Sequence, residues 1–444
     1  MNPILGHADG ADTAWLLVAF ALVLLMTPGL ALFYGGMVRS KTVLNMMMMC
    51  LAAIPVVWII WVVFGYSAAF GPDKGGLIGD PGAYPGLRHL FGGFGDAGSP
   101  DGSSPLVQHV PAILFVAFQA GFAMVTVALI AGAVADRMKF VAWLLFAGAW
   151  ITLVYIPVAH WVFAAKSLTG ASSGGWIVDR LHALDFAGGT AVEVNSGASA
   201  LVMALILGRR LGWPRDPMRP HNLPFVMLGA GLLWFGWFGF NAGSALAANE
   251  SAALITANTL GSGAAAMVAW LLVEQLRHGK PTSFGAASGV VAGLVAITPA
   301  CGSVTPLGAL AVGAVAGAAS SYAIELKYRW KYDDSLDVVG VHLVSGIVGT
   351  LMIGLVASGD TPTGVKGLLY GGGLDQLWRQ AVAVLAVGVY AMAVTAVIAF
   401  VLDKTIGLRA DPQHEADGLD DVLHAESAYD FHVDRGRGLS GLGG

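Results

Sequence analysis

Eleven stretches of this chain stay apolar long enough to cross, or nearly cross, a bilayer, which takes about 20 helical residues. They fall near residues 14–38, 43–70, 106–135, 140–165, 190–208, 223–244, 252–276, 284–298, 307–326, 338–357 and 377–402. The pattern predicts eleven transmembrane helices in an all-α membrane protein. The eighth run is short, and its alternative is a run-on into "ITPACG", with Pro299 ending the helix. Two polar interruptions, 71–105 (rich in Gly, Pro and Asp) and 166–189, read as irregular loops on the same side. After Leu402 the chain turns polar. The expected organisation is one transmembrane domain over 1–404 and a tail over 405–444, too poor in apolar residues to form its own core and either hanging free or docked on the bundle.

Composition agrees with the pattern. Of 444 residues 56% are apolar and only 11% charged, against about 25% charged in soluble domains. The 61 glycines suit closely packed membrane helices, where lipid supplies no hydrophobic drive. The net charge of −5 decides little, but the placement of the cations does. With the N-terminus outside, 17 of the 23 Lys and Arg residues fall on inside segments, so N-out and C-in is the expected orientation. Only His7, Asp9 and Asp12 precede the first run, and no conventional signal peptide is expected. Cys50 and Cys301 read as two buried free thiols. No nucleic-acid partner, cofactor, metal or enzymatic chemistry is expected. Eleven histidines invite a haem or quinone reading, but no HExxH or CxxCH motif accompanies them.

Ionisable residues inside membrane runs cost at least about 2.5 kcal/mol each and are functional candidates by default. Glu193 and His342 lie deep in the fifth and tenth runs, whereas Glu250, Glu274, Glu325 and Asp337 sit at run ends as wetted or capping groups. The plain alternative for His342 is a ring satisfied by a carbonyl; an unpaired buried Glu193 simply costs energy. His160 lies near an outer end and reads as structural. Asp185, ahead of "FAGGT", reads as the N-cap of the fifth helix. Phe118 and Phe122 are spaced i, i+4, and Trp234, Trp237, Phe240 and Ser244 stand among Gly236, Gly239 and Gly243. Ordinary lipid belts carry the same letters, but the glycines remove bulk beside the rings, which suits a narrow passage where ring faces attract a cation. The fifth run begins after Asp185 and carries Glu193; the tenth begins after Asp337 and carries His342. That parallel suggests two inverted halves, although the halves are otherwise too dissimilar to decide it.

The stretches "TPGLALFYGGMVRSKTVLNMMM" (27–48), "DFAGGTAVEV" (185–194), "PHNLPFVMLGAGLLWFGWFGFNAGSA" (220–245), "ANESAAL" (248–254), "AITPACGSVTPLGA" (296–309) and "DDSLDVVGVH" (333–342) closely resemble the ammonium transporter (Amt/Mep/Rh) family, bacterial Amt branch. The resemblance spans nearly the whole chain. It implies eleven helices, a five-plus-five inverted repeat and a homotrimer with one pore per subunit in the inner (plasma) membrane. It also implies transport of ammonium or ammonia, with methylammonium as a further substrate. Phe122 and Phe240 look like the stacked pair gating the outer pore, Ser244 like the recruiting hydroxyl, Asp185 like the acid behind that site and Trp237 like the pore-lining Trp. His342 matches the second of the paired pore histidines, and the tail resembles the segment that moves on binding a PII-type regulatory protein.

Two departures stand out. Glu193 replaces the first pore His, as in a subset of the family, and the outer recruitment Trp is replaced by Phe163, with Trp161 two residues earlier as the other candidate. A dry passage disfavours the charged form of an amine. Ammonium would therefore give up its proton beyond the Phe pair, and ammonia and the proton would travel separately, the latter over Glu193 and His342 as one titrating unit. The competing readings are an ammonium sensor that signals through the tail and an Rh-like neutral-gas channel.

Overall fold

The structure, a computed structural model, describes residues 4–92, 103–169, 173–216 and 219–429. Among them eleven helices are long and apolar enough to span: α1 (Gly10–Met37), α2 (Val43–Phe70), α3 (Ala112–Val134), α4 (Phe140–Phe163), α5 (Gly189–Leu207), α6 (Leu223–Gly243), α7 (Glu250–His278), α8 (Ser283–Ala300), α9 (Pro306–Trp330), α10 (Val339–Val356) and α11 (Asp375–Thr405). The one clear difference from the hydrophobic pattern lies before α3. Residues 106–111 are apolar but form a tight hairpin, with Ser104–Val107 pairing both Val110–Pro111 and Ile4–Gly6. Gln108 turns this hairpin at positive φ, and Pro111 keeps the helix from starting earlier. Pro299 does not end α8, which runs through it to Ala300.

Helix starts carry the polar residues their sequences offer. Asp9, Asn222, Asn249, Thr282 and Thr305 each accept a backbone N–H from the first turn of α1, α6, α7, α8 and α9. The helices α3 and α8 are almost wholly enclosed, and α5 and α10 cross between them. Close approach at the α1/α6 contact depends on glycine: a Cβ on Gly229 would stand 2.3 Å from the Phe33 amide nitrogen. Gly236, Gly239 and Gly243 serve the same contact, with Met26, Leu22 and Ala19 where their side chains would be. Gly236 and Gly239 admit α1 rather than clearing space beside the aromatic rings, a difference from the expectation from sequence; Gly243 does both, since a Cβ there would also meet the Phe118 ring at 3.0 Å.

The short loops after α1, α3, α5 and α9 meet the tail at one end of the bundle, the end rich in basic residues. Arg210 holds Asp333 at 2.8 Å and Asp136 at 3.3 Å, both nearly inaccessible. Burial pushes the Asp333 carboxyl up, but the Arg210 hydrogen bonds and charge outweigh it and leave the group below the usual carboxylate range. Arg137, fully buried, donates to the Asp333 carbonyl at 2.7 Å, and burial lowers its guanidinium to about 10. The tail does not hang free up to residue 429. Asp420 accepts the Leu44 and Asn45 amides at the start of α2 (3.0 and 2.7 Å), and Glu415 accepts the Leu211 amide (2.6 Å) and Arg409 (2.7 Å). Cys50 and Cys301 are free and buried.

Candidate functional site

Three spaces follow one another through the bundle. At the end opposite the tail lies a cavity of about 340 Å³, bordered by Gln119, Phe122, Phe163, Asp185, Ser244 and Ser303 among others. Its floor is Phe122, whose ring stacks on Phe240 at a centroid distance of 4.0 Å and an angle of 17°. Both rings are buried, so the pair separates this cavity from the space behind it. Beyond it is an apolar chamber of only about 10 Å³, lined by Leu30, Val125 and Trp237 and by the two polar groups Glu193 and His342. The third space, about 430 Å³, opens at the tail end beside Met37, Arg210, Lys327, Ser335 and Asp337.

Glu193 and His342 are 1% and 2% exposed and 149 residues apart in sequence, yet Glu193 Oε2 lies 2.7 Å from His342 Nδ1. In the state where Glu193 is ionised it can only accept, so there Nδ1 carries the hydrogen and Nε2 is the nitrogen left to take a proton. Each residue sits in an opening turn with i to i+5 hydrogen bonding, at 189–194 in α5 and 339–343 in α10. Such widened turns are frequent at functional sites, although Trp61–Gly65, Ile151–Tyr155 and Ile177–Leu181 carry them here too. The helices cross where each has a glycine four residues further on. A Cβ on Gly197 would stand 2.6 Å from the Leu343 amide nitrogen, and one on Gly346 would stand 2.9 Å from Glu193 Cβ. Trp237 is held by an indole hydrogen bond to Thr298 Oγ1 at 2.8 Å.

Asp185 serves the start of α5 from four residues ahead of it, not as the adjoining cap residue. Its carboxylate accepts the amides of Gly188, Gly189, Thr190 and Ala191 and the Thr190 hydroxyl. It borders the outer cavity, but its oxygens are already committed. At α10 the matching role belongs to Asp334, which accepts the Val339 amide at 2.7 Å. Asp337, the residue singled out from sequence, instead adopts φ +63° and pairs with Lys327 at 2.6 Å.

Of the two outer aromatics, Phe163 borders the cavity and meets Phe122 edge-on at 6.2 Å. Trp161 turns away, donating to the Leu77 carbonyl at 2.8 Å and packing on Tyr390. Ser244 Oγ donates to the Phe240 carbonyl at 2.8 Å, which leaves its lone pairs to accept. His160 is buried between the Ala69 carbonyl (2.7 Å) and Asp73 (3.0 Å) and tethers the loop after α2. Sequence reasoning missed Gln119, Ser303, Thr363, Asp334 and the Lys327 pairing. The spacing Asp334 to His342 repeats that of Asp185 to Glu193, eight residues each, and was the available signal for Asp334.

The sequence profile described as Ammonium Transporter Family matches residues 14–429. The chain is similar to an ammonium transporter of Mycobacterium tuberculosis, at 58% identity over 98% of this chain and 93% of that relative. It is similar to one of Bacillus subtilis at 44%, over 94% and 98%. Among solved structures it resembles a protein described as Sensor Amt Protein (TM-score 0.83, 26% identity, 94% of this chain and 98% of that one). It also resembles Mep2 of Saccharomyces cerevisiae (TM-score 0.79, 33% identity, 91% and 88%).

Proposed function

The chain belongs to the ammonium transporter family, and from that premise we propose how it moves its substrate. It is an ammonium transporter and a multi-pass membrane protein. Ammonium enters the outer cavity and is drawn to the faces of Phe122 and Phe163 and the free lone pairs of Ser244, since a cation beside a ring gains about 0.5–2 kcal/mol. Asp185 contributes negative charge from the cavity wall while its hydrogen bonds keep α5 in place. Passing the Phe122/Phe240 pair strips water, and in a chamber of about 10 Å³ a charged amine is strongly disfavoured against ammonia. Neutral ammonia then passes Trp237 and the apolar wall. The proton moves separately over Glu193 and His342.

One observation carries this reading: the 2.7 Å contact between a carboxylate and an imidazole inside an otherwise apolar chamber directly behind the stacked rings. Two neutral histidines can accept and pass a proton, but a Glu–His pair also holds a net negative charge. We therefore expect electrogenic transport with a pH dependence of its own. The test is Glu193→His in proteoliposomes on a solid-supported membrane, with ammonium-evoked current read against pH. The expected result is a displaced pH profile and altered selectivity; identical profiles overturn the role given to Glu193. The same recording separates transport from sensing or neutral-gas conduction, either of which gives no current in the unaltered protein.

The matched spacings Asp185, Glu193, Gly197 and Asp334, His342, Gly346 support the inverted repeat. The basic-residue count supports a plasma-membrane orientation with the tail inside. Assembly as a homotrimer and release of the docked tail by a PII-type protein complete the proposal.

A further inference from the structure

His160, in the last turn of α4, is wholly buried, and both of its ring nitrogens face oxygen. Nδ1 lies 2.7 Å from the Ala69 carbonyl in α2, and Nε2 lies 3.0 Å from Asp73 Oδ1 in the loop that follows. A carbonyl only accepts, and so does an ionised carboxylate. Burial pushes the Asp73 carboxyl up, but hydrogen bonds from His160, Ser173 and the Gly76 amide outweigh it and leave the group below the usual carboxylate range. Both contacts are therefore made together only when each ring nitrogen carries a hydrogen, as in an imidazolium. The surroundings suit that charge: the Asp73 side chain is only 5% exposed, and the carbonyls of a helix's last turn favour a cation. Around the pair, Lys74 is bound to Asp80 at 3.0 Å, Asp179 accepts the Lys166 amide at 2.9 Å, and a Cβ on Gly76 would stand 3.0 Å from the Arg180 guanidinium.

The pair holds a wall of the cavity at Phe122 and Ser244. Asp73 and Lys74 pair with Ile78 and Gly79 in a short hairpin laid on the end of α4. There the Leu77 carbonyl accepts the Trp161 indole at 2.8 Å, and the Gly76 carbonyl accepts the Trp176 amide at 3.1 Å. The segment after α4 folds back on the same turn: the Gly175 amide donates to the Ala164 carbonyl at 3.0 Å, and a Cβ on Gly175 would run into the His160 carbonyl. Val162, Phe163, Ala165, Leu168 and Val178 of this folded end border the cavity, and Phe163 meets Phe122 edge-on. The indole and amide contacts are indifferent to pH, whereas the contact between His160 and Asp73 is not. We propose that His160 and Asp73 are a charged positioning pair that sets Phe163 and the cavity wall for ammonium, and that a rise in pH loosens it. This rests on the transport reading and deepens it. When the ring gives up one hydrogen, one of its nitrogens faces oxygen lone pairs, and a buried acceptor loses its donor. The hairpin then parts from α4, the wall shifts and ammonium binds more weakly, by a route separate from Glu193 and His342.

The test reads ammonium-evoked currents in proteoliposomes held at one pH on both faces, for wild type, Asp73→Asn and His160→Phe. The wild-type KM should rise about three- to tenfold between about pH 6 and about pH 8, where an imidazole changes charge. Asp73→Asn offers the ring either an oxygen or an NH2 group and so satisfies both of its forms. It should hold KM within about 1.5-fold over the same range, while the maximal current keeps its wild-type pH profile. His160→Phe should raise KM at every pH; if it does not fold, wild type against Asp73→Asn decides alone. A wild-type KM indifferent to pH, an equal rise in Asp73→Asn, or an unchanged KM in a folded His160→Phe overturns the proposal. So does a fall in maximal current and melting temperature in both variants without any change in KM, which marks a structural role. If the unaltered protein gives no current, the transport reading fails, and amide hydrogen exchange of residues 73–79 in detergent still reads the pair. Protection that wild type loses between the same two pH values and Asp73→Asn keeps supports it, and equal protection overturns it.

Discussion

The openings of α5 and α10 are built to one plan and finished differently. In each, an Asp eight residues ahead of the buried titratable group (Glu193 or His342) serves the helix start, the first turn is widened, and a glycine four residues later admits the other helix. At α5 Asp185 has its oxygens filled by four amides and a hydroxyl. At α10, at the tail end of the bundle, Asp334 takes the Val339 amide on one oxygen, and the other has no partner among the described residues. Burial, then the charge of Asp337, pushes the Asp334 carboxyl up to about 6. The start of α5 is held by many hydrogen bonds, while the start of α10 rests on a carboxyl raised to about 6.

Removing the two acids should break the comparison most visibly. Asp185→Ala strands several buried donors and is expected to destabilise by about 4 kcal/mol, with Asp334→Ala costing about 1–2 kcal/mol. Thermal unfolding in detergent ranks them, and equal losses would dissolve the distinction between the ends. The pH dependence comes next. The folded Asp334 carboxyl holds its proton to about 6 against a reference of 3.8, so the unfolded chain ionises first. Stability from this group is full below about 4 and declines as pH rises to 6, by roughly 3 kcal/mol in all. Asp334→Asn should flatten that part of the stability profile; Asp185→Asn should leave it in place.

The smallest effect probes the crossing. An added methyl at Gly197 meets the Leu343 backbone at 2.6 Å, whereas at Gly346 it meets the Glu193 side chain at 2.9 Å. Gly197→Ala is therefore expected to cost about 2 kcal/mol and Gly346→Ala about 1 kcal/mol, because the contacts at Gly346, Glu193 Cβ at 2.9 Å and the Gly189 carbonyl at 3.1 Å, are longer. The melting temperatures of the two variants check the order. A larger loss at Gly346 would place the tighter contact on the Glu193 side.

Much of this was legible in the chain. The eleven spans lie within a few residues of their apolar runs, and the exception at 106–111 arose because a hairpin and a membrane helix use the same apolar letters. Glu193 and His342 were legible because they break an apolar pattern, and Phe122, Phe240 and Ser244 because their motifs are long and specific. Ser303, Thr363 and Gln119 were not. A hydroxyl in a loop or an amide in a helix is ordinary until its surroundings show that no group among the described residues meets it. Asp337 was chosen over Asp334 because it stands nearer the helix start, but its φ of +63° and the Lys327 ammonium carry it away from the free amides.

By itself the sequence determined which segments leave water, how many there are and which two titratable groups go with them. Transfer from water is summed over a local stretch of side chains and needs no knowledge of neighbours. Only the tertiary structure decided that those two groups meet, across 149 residues and 2.7 Å, and that the Asp185 carboxylate is spent on helix amides while nearby hydroxyls are left unpaired. Hydrogen bonds are decided at ångström range between partners whose separation in sequence is arbitrary, and the crossing of α5 and α10 at their glycines sets that range here.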